Sequence, residues 1–230
     1  MSLAPAWQPE EPARHRKTVT TTSDQAPTRP TLIGLHGFAR SGKDSSALRL
    51  IDAHGFRRFA FADPMRDSLL RLDPMLDGTT SLRMLVEEIG WDAAKGHRTY
   101  GPEVRRLQQV FATEVCRDLF GPDVWVNHLK ARVAADAQLH GPASVVISDV
   151  RFANEAEWIV AHGGVIWEVT RPGVGPANGH ASENPIDPAL ISLTICNDAS
   201  LDALARRVDR ALAGLTAPAT TTADLTVAAL

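Results

Sequence analysis

Apolar residues fall into short clusters along this chain, and their spacing moves between a period of two and a period near 3.6 from one segment to the next. Leu32, Ile33 and Leu35 form an apolar run before a glycine-rich turn, and a helix-prone stretch follows from Ala47 to Ala53. Phe56 to Phe61 (FRRFAF) alternates bulky apolar with other residues, which predicts a short second strand. Pro64 suits the first turn of a helix that Asp63 would cap, with Met65, Leu69, Leu70 and Leu72 on its apolar side. From Asp73 to Pro102 the periodicity is weak, so this stretch reads as a long connection or as a mobile element closing over a ligand.

Glu103 to Phe120 is the clearest helix. Val104, Leu107, Phe111, Val115 and Leu119 share one stripe, and Arg106, Gln109 and Thr113 fall together on the opposite side. Gly121-Pro122 stops it, and Val124-Trp125-Val126 follows. Ser144 to Asp149 (SVVISD) is a continuous apolar run ending in a carboxylate, as in a buried parallel strand. A helix holding Asn154, Glu155 and Trp158 ends at Gly163-Gly164, Val165 to Val169 makes a further strand, and a Gly- and Pro-rich loop runs from Arg171 to Pro185. Leu193 to Cys196 is the last strand, and Asn197 to Ser200 caps a final helix whose buried face holds Leu201, Leu204, Ala205 and Val208. About five strands alternating with helices predict an α/β fold, a parallel sheet covered on both faces.

The length of 230 residues accommodates one such domain, placed at 31–213, between a disordered tail at 1–30 that carries five prolines and a flexible tail at 214–230. A net charge of −3 leaves no basic field for bulk nucleic acid or an anionic membrane surface, although a small anion needs only a local basic pocket. The two cysteines, Cys116 and Cys196, sit among apolar residues without a partner at metal-ligand spacing, which fits buried thiols in a reducing compartment. No run of eighteen apolar residues and no apolar leader is present, so a cytoplasmic protein without membrane contact is expected. The oligomeric state is left open, a homodimer included.

The candidate chemistry begins at Gly37. Four residues separate it from Gly42-Lys43, and the whole lies between a predicted strand and a predicted helix, which is the setting of a phosphate loop. Its glycines let successive N–H groups converge on one anion, and its lysine reaches the β/γ-phosphates of a nucleotide. Asp44 stands where a Ser or Thr usually binds Mg²⁺, with hydroxyls following at Ser45 and Ser46. Asp44 is therefore expected to serve the metal, directly or through water, and Ser45 to meet the α-phosphate. Asp149, at a strand end, either orients Mg²⁺ and its waters or caps the following helix. Arg66 either meets a substrate phosphate or faces solvent. The row of Arg106, Gln109 and Thr113 offers a guanidinium, an amide and a hydroxyl to a nucleotide, or is simply a solvated face; Trp125 is core or a platform for a ligand.

Taken together, GFARSGKDSS, FADPMRD, RRLQQVFATEVCRDLFGPDVWV, VVISDVRFANEAE, VTRPG, GHASE and TICNDASL resemble the deoxynucleoside monophosphate kinases of bacteriophages, over about residues 31–212. The resemblance implies a P-loop kinase fold and transfer of the γ-phosphoryl of ATP to a 2′-deoxynucleoside 5′-monophosphate, with Mg²⁺. It implies that Arg40, Gly42, Lys43, Asp44 and Ser45 serve ATP, to which the loop pattern adds Gly37 and Ser46. It implies that Arg106, Thr113, Trp125, Asp149, Arg151 and Glu155 serve the deoxynucleotide, to which the reading of the helices adds Arg66 and Gln109; Lys43, Arg40, Arg151 and Asp149 are expected to carry catalysis. His180 and Glu183 fall in the lid-like loop without an assigned role. Two departures stand out: Ala112-Thr113-Glu114 where relatives tend to have GTE or GTD, and Ala39 where a relative carries lysine beside the substrate phosphate. Rival readings are a P-loop kinase for dephospho-coenzyme A or a ribonucleotide, and an ATP-binding module without turnover.

Overall fold

A computed structural model describes residues 31–176, 180 and 184–216 of the chain. The expected tail at 1–30, the expected tail at 214–230 from 217 onward, and Glu183 lie outside the described residues, while 214–216 complete the last helix. Five parallel strands, β1 (Leu32–His36), β2 (Arg57–Phe59), β3 (Val145–Val150), β4 (Val165–Thr170) and β5 (Ile191–Cys196), form one sheet in the order β2-β3-β1-β4-β5. The central pair is β1 and β3, and their C-terminal ends are where such sheets hold ligands.

Alternation along the strands sorts the core into two layers. Ile33, Leu35, Val146, Trp167, Val169 and Ile195 pack on one face against α1 (Lys43–His54) and α8 (Leu201–Thr216), through Leu50, Leu204, Val208 and Leu212. Val145, Ile147, Val150 and Ile166 face the opposite layer. That layer holds α2 (Ala62–Leu72), α3 (Leu82–Gly96), α4 (Gly101–Gln109), α6 (Val124–His140) and α7 (Ala153–Ala161). Leu201, expected on the buried face of the last helix, is 68% exposed. Placed at the first position of α8, it precedes the stripe of Leu204, Val208 and Leu212 that meets the sheet.

Three elements differ from expectation. The stretch 73–102 is not a loop throughout, since α3 occupies half of it and buries Leu82, Leu85, Val86 and Ala94. Gly90 (φ 77) breaks its helical period, while Ser81 caps its start through a bond from Met84 N. Asp63 does not cap α2; it pairs with Arg58 at 3.2 Å. The third difference is inside the 103–120 helix, where Val110–Arg117 winds as a π-helix before the short α5 (Asp118–Phe120). Each π turn takes in one more residue than an α turn, so the faces drift. Val104 is fully buried as expected, but Val115 is 37% and Leu119 72% exposed, and Cys116 points inward instead.

Candidate active site

The segment after β1 curls tightly. Gly37 (φ 135), Arg40 (φ 66) and Gly42 (φ 114) all take left-handed backbone, the first and last being glycines for which this is inexpensive. A Cβ on Gly37 would lie 2.3 Å from the carbonyl oxygen of Val169, so β4 closes the back of the loop. Lys43 opens α1 and is buried, and its ammonium donates to the carbonyl of Phe38 at 2.7 Å across the mouth of the loop. Inside, the hydroxyls of Ser41 and Ser46 are sealed from solvent and make no hydrogen bond. Ser45 is half-buried in the first turn of α1, and Asp44 is exposed beside it. This arrangement offers a tightly curled loop, an ammonium and unmet hydroxyls, which suits a polyphosphate.

The loop is held from behind. Asn197, buried at the start of the segment after β5, donates its side-chain amide to the carbonyl of Ser41 at 2.8 Å, and its N–H bonds Thr170. Nothing in the periodicity marks Asn197 for this work.

Asp149 lies where the pairing of β1 with β3 slips by one residue, between Gly34 opposite Ile147 and His36 opposite Val150. Its carboxylate accepts the N–H groups of Phe61 (2.8 Å) and Ala62 (2.9 Å), so it closes the open N-terminus of α2, not of the helix that follows it. Burial pushes its carboxyl above the ordinary range, against the opposing pull of those two N–H bonds and of Arg151 and Arg66. His36 bridges the same slip, its Nδ1 bonded to the carbonyl of Val150 at 3.0 Å. Burial lowers the His36 pKa, so the ring is neutral and donates.

Glu155 supports the turn after β3. It accepts the N–H of Arg151 at 2.8 Å and of Phe152 at 3.1 Å, and burial pushes its carboxyl up to about 8. Arg117, from the π-helix, stacks its guanidinium 3.8 Å from the centre of the Phe152 ring and donates to Asn154 at 2.9 Å. The π-helix and the Arg151 turn are therefore clamped together.

Between these elements lies a cavity of about 220 Å³. Phe61, Met65, Trp125 and Phe152 wall it, while Arg66, Lys95, Arg105 and Arg151 bring positive charge to it. Ala39 of the glycine-rich loop lines it too, so cavity and loop share a border. Of the residues expected here, Arg66, Gln109, Thr113, Trp125, Asp149, Arg151 and Glu155 all line it. Trp125 is fixed by its indole N–H bonding Ala112 at 2.9 Å.

Arg106 is placed otherwise. It is exposed and forms a double hydrogen bond with Glu103 (2.8 and 2.7 Å), one turn away on the outer face of α4. Its neighbour Arg105 takes the cavity side, bonded to the carbonyl of Lys95 at 3.1 Å. Sequence reasoning also missed Lys95, hidden in the weakly periodic stretch, and Gln108. A signal for Gln108 was present, since on the helical wheel it falls inside the expected apolar stripe, between Val115 and Leu119, where an amide has no reason to be unless it meets something polar. His180 reaches the same cavity.

Comparisons with known proteins identify the family. The family model for deoxynucleotide monophosphate kinases matches residues 100–208, which carry the π-helix, Trp125, Asp149, Arg151 and Asn197. A protein of Acanthamoeba polyphaga mimivirus, named provisionally as a deoxynucleotide monophosphate kinase, is 32% identical over 164 residues, covering 66% of this chain and 80% of its own. The chain belongs to the deoxynucleotide monophosphate kinase family. Solved structures similar to this kinase include TT1252 from Thermus thermophilus (TM-score 0.44, 20% identity, covering 82% of this chain and all of that one). Dephospho-CoA kinase from Campylobacter jejuni is another (TM-score 0.43, 10% identity, covering 80% of this chain and 96% of that one). Among the described residues, no helix of the kinase is long and apolar enough to cross a membrane.

Proposed function

We propose that this kinase transfers the γ-phosphoryl group of ATP to a 2′-deoxynucleoside 5′-monophosphate, yielding ADP and a deoxynucleoside diphosphate. The observation that carries this reading is the shared border between the glycine-rich loop and an aromatic, cation-rimmed cavity, with Ala39 belonging to both. Phosphoryl transfer asks a protein for alignment and charge neutralisation more than for covalent chemistry, and two adjoining anion sites supply that.

On the donor side, Lys43 would leave the Phe38 carbonyl for the β/γ-phosphates, with the loop N–H groups and the hydroxyls of Ser41 and Ser46 completing the cradle. Arg40 and Arg151 would flank the transferring group. On the acceptor side, the Nε of Arg66 is buried without a hydrogen-bond partner, an unmet donor suited to a phosphate oxygen. Asp149 contributes by fixing the start of α2, the helix that carries Arg66. Trp125, rigid and apolar, would pack against C2′ of the sugar; such packing disfavours an added hydroxyl by about 10².

Among the described residues, no group of three or more His, Cys, Asp or Glu could hold a metal. That fits a Mg²⁺ carried mainly by nucleotide phosphates and water, with Asp44 as the loop's own carboxylate. Bound there, Mg²⁺ would neutralise charge on the β- and γ-phosphates.

The test is ADP formation from ATP and Mg²⁺ with each of dGMP, dTMP, dCMP, dAMP and their ribose counterparts. Turnover favouring one or more deoxynucleotides is expected. Binding of ATP with no turnover of any of them would overturn the acceptor assignment and leave the donor loop standing.

A further inference from the structure

The side-chain amide nitrogen of Gln108 is shut off from solvent and has no hydrogen-bond partner among the described residues, although Gln108 lines the cavity. Folding seldom leaves such a donor unmet, because it has given up its water for nothing. Ala112 and the rings of Phe61, Trp125 and Phe152 line the same cavity. The guanidinium and ammonium groups of Arg66, Lys95 and Arg105 belong to this cavity as well and supply its charge, leaving the amide as a neutral donor. Trp125 cannot take that part, its own N–H being spent on Ala112. We infer that Gln108 reads the nucleobase of the acceptor, its NH₂ group donating to a ring carbonyl oxygen.

The inference rests on the reading of the cavity as a deoxynucleotide site and sharpens it. Guanine, thymine and cytosine each carry a ring carbonyl, and adenine carries none. A site built around an unmet donor discriminates strongly, since the base that lacks the matching acceptor leaves the donor stranded, whereas a purely apolar slot does not. Gln108 is thus a specificity residue, acting on acceptor selection and not on the donor.

The experiment measures kcat/KM for dGMP, dTMP, dCMP and dAMP, together with the KM for ATP, in the wild type, Gln108→Met and Gln108→Glu. Expected for the wild type is a preference of about tenfold or more for at least one carbonyl-bearing base over dAMP. In Gln108→Met that base loses about tenfold or more while dAMP changes less than threefold, and the KM for ATP stays within twofold. Gln108→Glu replaces the donor by an acceptor of the same shape and shifts preference toward bases with an exocyclic amino group, so the inference survives even where the Met variant folds poorly. An equal loss for all four bases, or an unchanged ratio in both variants, overturns the role of Gln108. Failure of the wild type to turn over any of the four, with ATP still bound, overturns instead the cavity reading on which the inference stands.

Discussion

The side chain of Asn197 donates to the backbone carbonyl of Ser41 at 2.8 Å, joining the segment after the last strand to a loop 156 residues earlier. Both partners are buried, and the amide also fills the space over Gly42, where a Cβ would come within 2.6 Å of it. Removing the amide leaves the Ser41 carbonyl buried and unpaired, which costs about 1–3 kcal/mol, and it frees the loop to leave its curled form. Asn197→Ala is expected to raise the KM for ATP about tenfold with a smaller effect on the acceptor KM, and to lower Tm by several degrees. Steady-state kinetics with each substrate varied, and thermal melts, check this. Equal effects on both KM values would make Asn197 a general stabiliser only.

Lys43 sends its ammonium across the loop to the carbonyl of Phe38, a partner that a phosphate oxygen would replace. Loss of a charge that neutralises the transition state costs typically 10² or more in rate, on the order of 3 kcal/mol. Lys43→Ala should therefore lower kcat at least a hundredfold while its melting curve stays close to that of the wild type. Turnover within tenfold of the wild type would remove Lys43 from the mechanism.

Arg105 and Arg106 are adjacent and chemically identical, and the fold separates them. Arg106 is spent on Glu103 at the surface, an exposed pair of the kind that contributes little. Arg105 faces the cavity. Arg106→Ala should leave kcat/KM for the acceptor within about twofold, whereas Arg105→Ala should lower it about tenfold. Assays of both variants under one set of conditions decide between the two arginines, and the reverse order would put the acceptor on the outer face of α4.

The same pair shows how far the sequence could be read. Strand positions, sheet type and the glycine-rich loop were legible because alternation, apolar runs and glycine spacing are local signals. Gln109, Thr113, Trp125, Asp149 and Arg151 were placed by motif, and they meet in one cavity. The π-helix was not legible, since no local pattern announces an i to i+5 turn, and a straight 100° wheel therefore predicted burial for Val115 and Leu119; Arg106 lies ahead of it, in regular α4, and is drawn off by Glu103 one turn earlier. The partners of Asp149 were hidden for another reason. Its bonds to Phe61 and Ala62 span 88 and 87 residues, and only the packed sheet brings them together. Asn197 and Lys95 were missed on the same ground, their roles being set by tertiary approach.

Glu155 gives the kinase a pH signature. Burial holds its carboxyl at about 8 in the folded chain, against an ordinary value near 4.3 when unfolded. Between these values the folded state keeps a proton that the unfolded state has released. Stability from this group is therefore fully present below the unfolded pKa and is lost as pH rises toward the folded one, at up to about 1.4 kcal/mol per pH unit. Asp149, also raised by burial, contributes with the same sign. Glu155→Gln keeps an acceptor for the Arg151 and Phe152 N–H groups but cannot titrate. Its Tm should fall less steeply than that of the wild type between pH 5 and 8, about the limits set by the two pKa values, the residual slope belonging in part to Asp149. Glu155→Ala, which strands those two N–H groups and loosens the turn carrying Arg151, should instead lower both Tm and kcat/KM at every pH. Melting curves across that range, with acceptor kinetics at one pH, separate the two effects; a Glu155→Gln profile parallel to the wild type would show that the carboxyl is ionised in the folded protein, balanced by Arg117.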